Sequence, residues 1–118
     1  MDKTDKTTEE KPLGLDRKKL ATTIGEIASE VYGVVGLTRV HTLKNQLVIL
    51  RKENYVDGII LTTNKGKIDL EIHLVCAYGV KITEVASEVT KRVRYELEKE
   101  YGKIINKLDV YVEDLLDL

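Results

Sequence analysis

Lys67-Ile-Asp-Leu-Glu-Ile-His-Leu-Val-Cys-Ala-Tyr78, then Gly79-Val-Lys81, then the run from Ile82 to Gly102, is the stretch whose reading decides the fold. Its first part alternates, with Ile68, Leu70, Ile72, Leu74 and Cys76 in one series and Asp69, Glu71 and His73 in the other. Successive side chains of a strand point to opposite faces of a sheet, so the pattern predicts a strand with one buried face. After Gly79-Val80-Lys81 the spacing changes to steps of three and four. Ile82, Val85, Ala86, Val89, Val93, Leu97 and Tyr101 then form one stripe of a long helix. Thr83 is the expected N-cap, and Gly102 stands where a left-handed residue ends a helix. The strand and the helix each own an apolar face, and the expected core joins Leu70, Ile72, Leu74, Val89 and Val93 to Ile24 and Ile27 upstream.

Working outward, Asn64-Lys-Gly66 predicts a tight hairpin turn that pairs the strand with Ile59–Thr63 before it. Past the helix, Leu108, Val110 and Val112 alternate with Asp109, Tyr111 and Glu113 as a last strand. A strand–helix–strand unit brings that last strand in parallel to the long one. Toward the N-terminus, Asp16 can cap a helix whose stripe is Leu20, Ile24, Ile27, Ala28 and Val31, with Gly33 as its expected C-terminal glycine. Gly33-Val-Val-Gly36 is expected to be a buried turn. Residues 42–54 read as a short second helix, with Leu43, Leu47 and Leu50 on one face. The fold class is therefore α+β in two layers: a three-stranded mixed sheet (antiparallel hairpin plus parallel strand–helix–strand), two main helices on one face, and a short extra helix. Residues 1–12 are expected to be a disordered tail, 13–114 a single domain, and 115–118 a frayed C-terminus.

An internal echo accompanies this order. Ile24-Gly-Glu-Ile-Ala-Ser-Glu-Val31 and Ile82-Thr-Glu-Val-Ala-Ser-Glu-Val89 differ at two of eight positions. Matching strands do not surround both copies, so the echo reads as two helices solving one packing problem.

The 118 residues suffice for one hydrophobic core. A formal net charge of −1 gives no global attraction to nucleic acid or anionic lipid, and no apolar run reaches the length of a membrane span. The N-terminus has no apolar signal region, and a single cysteine, Cys76, excludes an intrachain disulfide. Both fit a cytoplasmic protein. Cys76 sits in the apolar series and reads as a small core residue.

Three functional classes can be weighed on the residues. Asp69, Glu71 and His73, beside Asp109, Tyr111 and Glu113, could ligate a metal or run acid–base chemistry, but a solvated strand face shows the same residues. No phosphate-binding loop, paired cysteines or nucleophile–base set accompanies them, so no catalytic residue, metal or cofactor is expected. Gly33-x-x-Gly36 resembles the loop with which KH domains clamp a nucleic-acid backbone, though both intervening residues are valine. That spelling, with the basic segment 38–52, sustains a KH-like nucleic-acid-binding alternative. The same segment, carrying Arg39, His41, Lys44, Arg51 and Lys52, is the candidate interaction surface.

The chain also resembles a family. Ile27-Ala-Ser-Glu-Val-Tyr-Gly-Val-Val-Gly-Leu37 is similar to the first-helix end of the alkaline shock protein, or envelope stress response, family of Gram-positive bacteria. Leu50-Arg-Lys-Glu-Asn54 with Gly58-Ile-Ile60 looks like that family's link into the hairpin, and suggests its small stand-alone housekeeping branch. The strand from Lys67 through Gly79-Val80 and Ile82-Thr-Glu-Val-Ala86 is similar to its most recognisable signature. The likeness spans about residues 14–114. Two departures are the helix start Leu15-Asp-Arg-Lys18 and an early strand reduced to Leu13-Gly-Leu15. The resemblance implies a non-enzymatic, cytoplasmic protein of envelope homeostasis, acting as a scaffold or protein-interaction module. It implies protein partners, a membrane-anchored one among them that would hold the chain at the inner membrane face, and no catalytic residues. A homo-oligomer through a sheet edge or the 42–54 helix is expected, with no nucleic acid and no direct membrane insertion.

Overall fold

A computed structural model of the chain describes residues 16–39 and 47–117. The expected N-terminal tail and residues 40–46 lie outside these. The elements are α1 (Arg17–Ser29), β1 (Val34–Leu37), a 3-10 helix (Lys52–Gly58), β2 (Ile59–Asn64), β3 (Lys67–Ala77), α2 (Ile82–Tyr101) and β4 (Ile105–Leu116). The α+β class holds, and the sheet has four strands where three were expected.

β3 organises the sheet because three strands pair with it. β2 runs antiparallel along its first half, from Asn64↔Lys67 to Ile59↔Ile72. β1 runs antiparallel along its second half, from Leu37↔Leu74 to Val34↔Cys76. β4 runs parallel along nearly its whole length, from Ile68↔Ile105 to Ala77↔Leu116. A strand has two edges, so β1 and β2 share one and β4 takes the other. The β2–β3 turn puts Lys65 at φ 51° and Gly66 at φ 81°, the left-handed pair that matches the twist of a two-residue hairpin.

The core follows the alternation. Ile68, Leu70, Ile72, Leu74 and Cys76 of β3 are buried in one cluster with Leu20, Ile24 and Ala28 of α1 and Val85, Val89, Val93 and Leu97 of α2. Both helices therefore cover the same face of the sheet, and Ile27 packs half-buried against this cluster.

Asp16 caps α1 as expected, its carboxylate accepting from the Lys18 and Lys19 amides at 3.1 and 3.2 Å. Thr83 does not cap α2. The N-cap is Lys81, whose side chain makes no capping bond. Gly102 ends α2 at φ 83°, its amide donating to the Glu98 carbonyl at 2.9 Å.

Three further expectations are corrected. Gly33-Val-Val-Gly36 is not a turn: Val34–Leu37 is the strand β1, and Gly33, at φ 98°, lies beyond the end of α1 instead of closing it. The part of the 42–54 segment that is described is not α-helical. Residues 47–50 are in no helix, the Leu50 amide donates to the Leu37 carbonyl at 2.8 Å, and the 3-10 helix begins at Lys52. Leu47-Val-Ile-Leu50 is four apolar residues in succession, which suits a chain flanking a sheet edge better than one helix stripe. Finally, Leu115 and Leu116 belong to β4, where the Tyr78 amide donates to the Leu116 carbonyl at 2.8 Å, so the pairing runs past the expected frayed end.

These corrections change which edges are open. β3 has none. The β1 edge is flanked by residues 47–50, and on β2 the Arg17 guanidinium donates to the Leu61 carbonyl at 2.8 Å. Among the described residues, no α-helix over residues 47–54 is there to support the part of the expected self-association assigned to it.

Candidate interaction surface

Two Tyr-Gly-Val triplets, Tyr32-Gly33-Val34 and Tyr78-Gly79-Val80, meet at one end of the fold. The first leads from α1 into β1 and the second from β3 into α2. Both glycines adopt φ 98°, a conformation that glycine enters without steric cost. The Ala77 amide donates to the Gly33 carbonyl at 2.8 Å, which ties the two turns together. Gly33 also has no room for a side chain, since a Cβ there would stand 2.9 Å from Val85 Cγ2.

The result is an aromatic end with little net charge. Tyr32 is 89% exposed and Tyr78 69%. A groove of about 500 Å³ runs from Val31, Tyr32 and Val80 across the first turns of α2. A second, of about 460 Å³, lies between Tyr32, Val34, Val35, Ala77 and Val80. The charged residues along the first groove pair with one another, Lys81 with Glu84 at 3.7 Å and Arg92 with Glu88 at 3.1 Å. Exposed tyrosine combines a large apolar area with a hydroxyl that stays wet, which is why it is favoured at protein interfaces.

The far face of the sheet carries the expected polar series, but only part of it is open. The register sets Asp69 beside Lys107, Glu71 beside Asp109 and His73 beside Tyr111. His73 is 5% exposed and Val75 fully buried, and Ile49 lies over Gly36, the cross-strand partner of Val75. His73 Nδ1 donates to Glu113 Oε2 at 2.5 Å, and the Tyr111 ring stacks on the imidazole at 5.1 Å between centroids. Nε2 lies 3.5 Å from Glu71 Oε1 without a hydrogen bond. Glu71, then Asp109, then burial push the Tyr111 phenol up from its ordinary value.

Glu113 and Glu71 address different nitrogens of one ring, so the three groups do not converge on a point where a metal could sit. No group of three or more metal-binding side chains is found among the described residues. The ring is also closed off from a substrate. Thr38, which meets His73 across the strands, is fully buried with its hydroxyl unpartnered.

Of the expected basic surface, Arg39 follows β1, and Arg51 and Lys52 lie at the start of the 3-10 helix; all three are exposed. Lys52 is engaged by Glu26 of α1, and the hydrogen bond between them holds the ammonium's pKa up. His41 and Lys44 lie outside the described residues. Of the Gly33–Gly36 spelling, Val34 to Gly36 sit in a strand of the sheet and not in the loop that backbone clamping needs. The aromatic end went unread in the sequence, although the repeated Tyr-Gly-Val spelling was a usable signal.

Comparison with known proteins identifies the family and the fold. The sequence model of the alkaline shock protein family, described as having a cell envelope-related function, matches residues 5–116. The uncharacterised protein Spy1614 of Streptococcus pyogenes is 35% identical over 97 residues, covering 81% of this chain and 80% of its own. The uncharacterised protein YloU of Bacillus subtilis is 29% identical over 102 residues, covering 86% and 85%. Among solved structures, one of the MamM CTD superposes with a TM-score of 0.57 at 16% identity, over 84% of this chain and 99% of that one. Its copper form gives 0.56 at 15% identity, over 81% and 82%. At such identities the likeness concerns the fold alone, and the copper is that protein's.

Proposed function

The chain belongs to the alkaline shock protein family, whose function is related to the cell envelope, and on that footing we propose that it is a non-enzymatic interaction module that docks a protein of the envelope through its tyrosine end. The observation that carries the reading is that Tyr32 and Tyr78 are both exposed at one end of the fold, with two grooves beside Tyr32. Exposed aromatic groups in such a setting supply binding area at low entropic cost. The polar face lends support, since its one histidine is clamped by Glu113 and Tyr111 and buried, an arrangement suited to holding a sheet together.

No helix among the described residues is long and apolar enough to cross a membrane. Attachment to the inner membrane face therefore runs through the partner in this proposal. Arg39, Arg51 and Lys52, with His41 and Lys44, form a secondary contact whose charge favours an acidic region of that partner.

Sedimentation with membrane vesicles from the native host tests this. The wild-type protein is expected to sediment with the vesicles, and the Tyr32→Ala/Tyr78→Ala variant to remain in solution. Tyr95→Ala, which removes an exposed tyrosine from α2, should behave as wild type. Treating the vesicles with protease beforehand should abolish sedimentation of the wild type. Undiminished binding by the double variant, or to protease-treated vesicles, would overturn the reading.

A further inference from the structure

β4 is a twelve-residue edge strand, and among the described residues no strand pairs with its outer edge. An unpaired edge is a template for an added strand unless charge, bulges or cover protect it. β4 has register shifts near both ends, beside Ile68/Asp69 and Leu74/Val75, and a regular run from Lys107 to Val112 between them. That run has two different sides. Leu108, Val110 and Val112 face the core side and are only half-buried, so apolar area there awaits a neighbour.

The other side is acidic. Asp109, Glu113 and Asp114 are exposed on β4, and Asp69 and Glu71 stand beside them on β3. Lys107 is the cation set among them. A depression of about 180 Å³ among Thr62, Asp69, Glu71, Lys107 and Asp109 leaves room for a long side chain. His73 Nε2, buried and without a hydrogen bond, lies on the same face next to Glu71.

These features choose between occupants. A second copy paired along β4 would set two acidic faces side by side, and like charges across strands destabilise a sheet. A strand with Lys or Arg on one face and apolar residues on the other satisfies both sides and the backbone together. We propose that the free edge of β4 takes up an extended basic segment of a partner protein as an added strand. Its apolar residues cover Leu108, Val110 and Val112, and its cations lie over Asp109, Glu113, Asp69 and Glu71. This site is separate from the tyrosine end and stands or falls apart from it.

The test uses the whole chain and three nine-residue peptides, read by amide hydrogen exchange. One peptide alternates lysine and valine; the second has glutamate for lysine; the third has two valines replaced by proline and cannot pair. The lysine–valine peptide should slow exchange at Leu108, Val110 and Val112, and the other two should not. Asp109→Lys, an exposed change that spares the core, should weaken this binding about tenfold, in keeping with the loss and reversal of a few exposed charge pairs. Equal protection by the proline peptide would show charge attraction without strand addition and overturn the proposal. So would no protection at millimolar peptide, or protection of β4 amides that rises with protein concentration alone, which would assign the edge to a second copy.

Discussion

Gly25 and Thr83 hold the same place in the echoed helix sequence, yet their surroundings are opposite. A Cβ at Gly25 would stand 2.1 Å from Tyr55 Cδ2 and 2.5 Å from Cγ, so the ring of the 3-10 helix rests on the backbone of α1. The Tyr55 and Ser29 hydroxyls, 3.2 Å apart, fasten the contact. Thr83 is exposed. An alanine normally improves a helix over glycine by about 1 kcal/mol. Gly25→Ala should instead lower the urea midpoint, because the rigid base of the Tyr55 ring must move; a raised midpoint would remove the contact from the account. Cys76 offers a second residue-scale check. It is buried in the core, and burial pushes its thiol up from the ordinary 9.0. The folded state then keeps a proton that the unfolded chain releases, so stability falls as pH rises past that ordinary value. Thiol labelling of the folded protein should be slow, and the stability gap between wild type and Cys76→Ala should shrink from about pH 8 to about pH 10. A gap that widens over that interval would contradict the burial.

At the scale of elements, caps separate what the sequence declared from what it hid. Asp16→Ala removes a carboxylate that accepts from two amides and should cost about 1 kcal/mol in a denaturation experiment. Thr83→Ala, at a residue that does not cap the helix, should stay within about 0.5 kcal/mol of wild type. The long strand and helix were legible because each holds one period over many residues, and the hairpin because Lys65-Gly66 fits one turn type. β1 was not. Two glycines in Gly33-Val-Val-Gly36 read as a turn, whereas Gly36 is there because Ile49 Cγ2 would stand 2.8 Å from any Cβ. The segment after β1 misled for a related reason: leucines at 43, 47 and 50 imitate a helix stripe, and only the bond from Leu50 to Leu37 shows residues 47–50 flanking a sheet edge. Such long-range contacts override local spacing and leave no periodic trace.

For the whole molecule, the polar face was readable residue by residue, since the alternation of two strands placed Asp69, Glu71 and His73 beside Asp109, Tyr111 and Glu113. That its histidine is buried was not, because the contacts on its ring come from Tyr111 and Glu113, far away in sequence. The tyrosine end likewise exists only once β1 and β3 pair and bring residues 32 and 78 together. It is the central claim, and site-specific photo-crosslinking in the native host tests it most directly. A photoreactive side chain is placed in turn at Tyr32, Tyr78 and, as exposed controls on the same fold, Lys91 and Tyr95. The account predicts that Tyr32 and Tyr78 yield one shared crosslinked protein from the membrane fraction while Lys91 and Tyr95 do not. The same crosslink pattern from all four positions, or none from Tyr32 and Tyr78, would contradict it.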